Sequence, residues 1–240
     1  MKRVKDINKE RSKTDHSFQT LLLIYTAVMG VSFSIAAKTC FEAVILHIPV
    51  NITDISHYKA QSLVPLLLFF SYAVTFIPFY HGCSILFHDA YIENKAGREC
   101  FSAFLYDFGL MFLHGVFFAA LATTLTRPDI FFVLFVFLMI IDVAWCLLAN
   151  INSRLERQAD AAKIWMTINA VVIALCFEFC FIFHTLFCSP DKALTVSIII
   201  FCVSIVRSYV DYTWAFEVYF GRKMNRKTRN IDCRLAKTKN

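Results

Sequence analysis

The sequence predicts an all-α integral membrane protein, a six-transmembrane-helix bundle with both termini in the cytoplasm. Three observations predict it. First, 58% of the 240 residues are hydrophobic, Phe alone supplying 26, against about 45–50% apolar residues in soluble domains. Second, the excess is gathered into blocks of about 20 residues or more, the length that crosses a bilayer core. Third, the Lys and Arg residues outside the blocks fall on alternate sides, nineteen on one and three on the other. A bias of that size orients the chain with its basic side, and so both ends, inward.

Residues 1–17 read as a basic cytoplasmic tail with six Lys/Arg. Being charged throughout, this stretch does not read as a cleavable signal. The membrane domain covers 18–220, and its spans fall at about 18–48, 62–87, 101–125, 130–151, 165–188 and 193–220. Residues 221–240 form a second, polybasic cytoplasmic tail with eight Lys/Arg and one acid, Asp232.

The first span is uncharged from Phe18 to Ala37; Lys38 and Glu42 then pair at i,i+4, and Lys38 snorkels to the interface. The loop after it holds the sequon Asn51-Ile52-Thr53, which matters only in a secretory setting. The second span carries Pro65 in its first turn, where proline is tolerated, and Pro78 deeper. Pro78 supplies no N–H to the carbonyl of Val74, so a kink is expected just before Tyr80 and His81. His88 to Cys100 reads as a short charged loop. The third span carries Asp107 and His114, seven apart and so two turns up one face.

A break at Thr126-Arg127-Pro128-Asp129 precedes the fourth span, which carries Asp142, Trp145 and Asn150. Asn150 sits at the span's end, about 80° round from Asp142. Asn169, Glu178 and His184 punctuate the fifth span, and Ser189-Pro190-Asp191-Lys192 ends it. The sixth holds Arg207, Asp211 and Trp214 close to one stripe, with Gly221 as a helix stop. Asp142-Val-Ala-Trp145 and Asp211-Tyr-Thr-Trp214 each follow a Pro-Asp break, which suggests duplicated hairpins.

Threading puts most of these polar groups at one depth, the cytoplasmic half. Asp142, Glu178 and Arg207 facing lipid would together cost about 8–10 kcal/mol, as much as the whole stability of a typical domain. They are therefore expected to pair, take up protons or line water. Arg207 is expected to meet Asp211 on its own helix and Asp142 across the bundle. His81, Asp107, His114 and Glu178 are the candidate switchable groups, with Trp145, Trp214 and Asn150 beside them. Tyr106, Trp165, Trp214 and Tyr219 also suit an aromatic belt at the interface.

Other chemistries find little support. His81 and His88 lie about 10.5 Å apart along a helix axis, too far to share one ion. No metal and no cofactor is expected. The nine Cys include no C-x-x-C pair and read as buried small hydrophobes. Zinc-protease, nucleophile-elbow, P-loop and dinucleotide motifs are missing from the sequence, and six Gly leave little for phosphate-cradling loops. Arg222, Lys223, Arg226, Lys227 and Arg229 in the C-terminal tail are expected to meet anionic lipid headgroups of a plasma (inner) membrane. Without interleaved aromatics that tail gives no reason to expect nucleic acid.

Three functions remain. One is movement of an ion, proton or small solute through a polar cavity in the inner half of the bundle. The second is a non-enzymatic scaffold, sensor or effector, which implies oligomers of the same chain. The third is a membrane enzyme acting on lipid or quinone with His81, Asp107 and His114.

Overall fold

The computed structural model describes residues 2–45, 55–93, 101–152, 156–182 and 192–220. The described residues form helices joined by short turns, with no strand among them. They form α1 (Lys2–Ile45), α2 (Ile55–Phe87), α3 (Phe101–Thr123), α4 (Pro128–Asn152), α5 (Glu156–Ile182), α6 (Ala193–Trp214) and a short α7 (Phe216–Phe220). Six of them are long and apolar enough to cross a membrane. The chain is therefore read as a multi-pass integral membrane protein.

Several boundaries differ from expectation, each for a local reason. The basic segment 2–17 is helical and continuous with the first crossing in α1. The helix of the second crossing does not stop at Phe87, but continues through a π-helical stretch, His88–Glu93. Part of the expected loop is thereby ordered, and Ala90 and Tyr91 are buried. The fourth crossing begins at Pro128, whose missing N–H costs nothing in a first turn. A tight turn precedes it, with Arg127 N–H bonded to Thr124 O at 2.8 Å. The sequon, His184, the Ser189–Asp191 break and the C-terminal tail, with Arg222, Lys223, Arg226, Lys227 and Arg229, lie outside the described residues.

The largest correction concerns the end of the sixth crossing. An uninterrupted helix to Phe220 was expected, but α6 ends at Trp214. Ala215 N–H closes on Asp211 O at 2.8 Å, and the chain resumes as α7. On an unbroken helix Tyr219 would lie about 12 Å along the axis and about 80° round from Asp211. The break folds it back instead.

Packing is not in chain order alone. α4 lies along α5, α1 along both α2 and α3, and α2 along α6. α2 is the most buried crossing and α1 the least. Close approach of α1 to α3 depends on Gly115, where a Cβ would come within 2.7 Å of Val28. Phe76, Phe79, Tyr72 and Phe118 stack between α2 and α3 at centroid distances of 5.3–5.7 Å. Leu23, Phe41, Phe177 and Val206 point outward. Exposed apolar faces of this kind are what hydrocarbon solvates.

Candidate functional site: a buried polar cluster

Because α2 lies along α6, the Pro78 turn of α2 faces Arg207 and Asp211 of α6. Arg207 is 3% exposed. Its Nη1 lies 3.5 Å from Asp211 Oδ2, one helical turn on. Its Nε donates to Asn169 Oδ1 of α5 at 3.2 Å. Asn169 in turn donates through Nδ2 to Asp142 Oδ2 of α4. Arg207 therefore reaches Asp142 through an amide. The guanidinium Cζ sits 4.5 Å from the centroid of the Phe79 ring on α2, a cation–π contact.

Asp211 is the better supplied carboxylate. Its Oδ1 accepts from Trp165 Nε1 at 2.8 Å and from the Tyr219 hydroxyl at 2.9 Å. Asp142 accepts from Asn169 and, weakly, from Cys146 Sγ at 3.9 Å. Its Oδ1 is 3.6 Å from Nε2 of His114 on α3. His114 is fully buried, and neither ring nitrogen makes a hydrogen bond. Five elements, α3 to α7, thus contribute polar groups, and α2 supplies the ring beneath the guanidinium.

A cavity of about 10 Å³ lies among Asp142, Trp145, Trp165, Arg207, Asp211 and Tyr219, room for about one water. Gly82 forms part of its wall. A Cβ there would come within 2.9 Å of the Trp165 ring, so glycine lets the indole approach α2.

Two smaller clusters adjoin. Asp107, half-buried on α3, accepts from Tyr91 at 2.6 Å and from Trp145 Nε1 at 3.2 Å. The π-helical stretch after α2 carries Tyr91 to that bond. His81, also half-buried, stacks on Tyr219 at 4.8 Å, and its Nδ1 is 3.4 Å from the Tyr212 hydroxyl.

Arg207, Asp211, Asp142 and His114 thus come together. Asp107 and Trp145 pair with one another, and Trp145 also stands edge-on to His114 at 6.0 Å. Two candidates turn away. Trp214 is 58% exposed and Glu178 is exposed on α5, so neither joins the cluster. The side chain of Asn150 lies outside the described residues.

The sequence reading missed three contributors. Trp165 and Tyr219 suited an interfacial belt, yet both donate to Asp211. Asn169, noted only as a polar residue of its span, links Arg207 to Asp142. One signal was available: Trp165 and Asn169 are i,i+4 and share a face. No group of three or more His, Cys, Asp or Glu suited to a metal ion occurs among the described residues. Comparison with protein-family models, curated proteins and solved structures gives no match for this chain.

Proposed function

We propose that this is a non-enzymatic multi-pass membrane protein, a sensor or scaffold whose helices are held in one arrangement by the Arg207 cluster. The single observation behind the reading is the size of the polar cavity that Arg207 shares with Asp142 and Asp211, about 10 Å³; the larger groove that Arg207 also borders is otherwise walled by Thr167, Cys202 and apolar side chains. A vestibule that passes a solute or a hydrated ion needs far more room than one water. A cluster of side chains bonded to one another across five elements suits a device that fixes helix packing.

Proton movement is the second reading, favoured by one observation. Two carboxylates, Asp142 and Asp211, surround one guanidinium, so the ionised cluster lacks a positive charge unless His114 supplies it. The enzyme reading has less support. A groove of about 350 Å³ lies between α5 and α6, bordered by Arg207 and Thr167 and otherwise mostly apolar, and none of His81, Asp107 and His114 lines it.

The test is proton and ion flux in reconstituted vesicles, wild type against Arg207→Gln and Asp142→Asn. No flux above that of empty vesicles is expected of any of them. A wild-type flux abolished by either substitution would replace the sensor reading with transport.

A further inference from the structure

The two carboxylates of the cluster are not equivalently served. Asp211 has the guanidinium at 3.5 Å and two strong donors, Trp165 and Tyr219. Asp142 has only an amide and a thiol as donors, and Arg207 touches it through Asn169 alone. Among the described residues the cationic group in closest contact with Asp142 is His114, 3.6 Å away, with both ring nitrogens buried and unbonded, while Arg207 borders the same small cavity as Asp142. A lone ionised carboxylate in such a place costs several kcal/mol, and a neutral imidazole beside it does not relieve that.

We propose that His114 and Asp142 together form a single-proton site, and that the closed arrangement of α3 to α6 requires the proton. Either microstate neutralises the cluster: a protonated imidazole paired with the carboxylate, or a carboxylic acid beside a neutral ring. The pair titrates as a unit. When the proton leaves, the cluster keeps one buried negative charge, and the contact between α3 and α4 is the one that must open to water. This rests on the reading of the cluster as the element that fixes packing.

Other groups that face the pair do not carry the missing charge. α1 presents Tyr25, and α2 presents Cys83 from the cavity wall. α4 adds Cys146, one turn from Asp142. α5 adds Trp165 and Asn169, which do not titrate. α6 supplies Arg207, committed to Asp211, and α7 supplies the hydroxyl of Tyr219, which donates to the same acid. Asp107, two turns from His114 on α3, adds negative charge and has its own donors in Tyr91 and Trp145.

The experiment uses the full chain in lipid nanodiscs, titrated from about pH 5 to about pH 8, the interval in which a histidine changes charge. Infrared difference spectra report a protonated carboxyl, and nitrogen NMR of labelled histidine reports the imidazolium. One proton is expected on the pair, seen as a carboxyl band lost in Asp142→Asn or an imidazolium signal lost in His114→Gln. The linkage sign follows above about pH 6.5, where the unfolded histidine has released the proton that the folded pair still holds. The folded fraction therefore falls with rising pH, the equilibrium shifting up to about tenfold per pH unit across the step. Asp142→Asn removes the unbalanced charge and should flatten the dependence.

Should Asp142→Asn fail to fold, His114→Gln decides. It leaves Asp142 as the sole carrier, so the variant must show a carboxyl band whichever group holds the proton in the wild type. Finding neither signal in the wild type overturns the site, as does a wild-type pH step that Asp142→Asn retains. A bound proton with pH-independent unfolding overturns the coupling to packing. Failure of the underlying reading shows elsewhere, as additive losses from Arg207 and Asp211.

Discussion

Ser208 Oγ on α6 donates at 2.7 Å to the main-chain carbonyl of Val74 on α2. That carbonyl lies four residues before Pro78, whose ring nitrogen has no hydrogen to give it. The hydroxyl of one helix thus replaces the amide missing from another. In hydrocarbon an unsatisfied carbonyl is costly, and this is how spanning helices tolerate proline.

Ser208→Ala should destabilise the bundle by about 1–2 kcal/mol, since it strands a buried acceptor. The same substitution made in a Pro78→Ala background, where residue 78 can donate to Val74, should cost clearly less. Equilibrium unfolding in bicelles measures both, and equal costs in the two backgrounds would separate Ser208 from the proline.

Gly82 holds a gap for an indole. A methyl there meets the Trp165 ring at 2.9 Å, so Gly82→Ala should push the indole off Asp211 and cost about 1–3 kcal/mol. Gly30 and Gly109 have open space at the same point, so alanine at either should leave the bundle intact. Tryptophan emission and thermal unfolding distinguish the three variants.

Trp165 and Trp214 both lie toward the ends of their apolar crossings, but they differ in partner. Trp165→Phe removes the 2.8 Å donor to Asp211 and should cost about 1–3 kcal/mol. Trp214, largely exposed, should tolerate Phe within about 0.5 kcal/mol. Equal losses in an unfolding assay would mean that the belt description fits both after all.

These pairs show what the sequence could and could not disclose. Crossings were legible because apolar length and missing charge are properties of single segments. The freeing of the Val74 carbonyl was legible too, since it follows from Pro78 alone; the identity of its new partner was not, because that needs the α2–α6 pairing. Arg207 and Asp211 were readable as neighbours from their i,i+4 spacing. Trp214 follows Asp211 at i,i+3, about 60° round the helix from it, and is exposed. Glu178 misled for a related reason: its type in an apolar block says it is costly, not which way it points. Tyr219 was unreadable because its approach to Asp211 depends on the break at Ala215, a residue type with the highest helix propensity.

The organising proposal is that Arg207 and Asp211 are coupled inside the bundle and hold it together. A double-mutant cycle on their unfolding free energy, using Arg207→Met and Asp211→Leu, addresses it most directly. Each single substitution should cost about 3–5 kcal/mol, because it strands the partner's charge away from water. The double variant should cost at least about 2 kcal/mol less than the two losses combined. Losses that simply add, or single variants as stable as wild type, would contradict it.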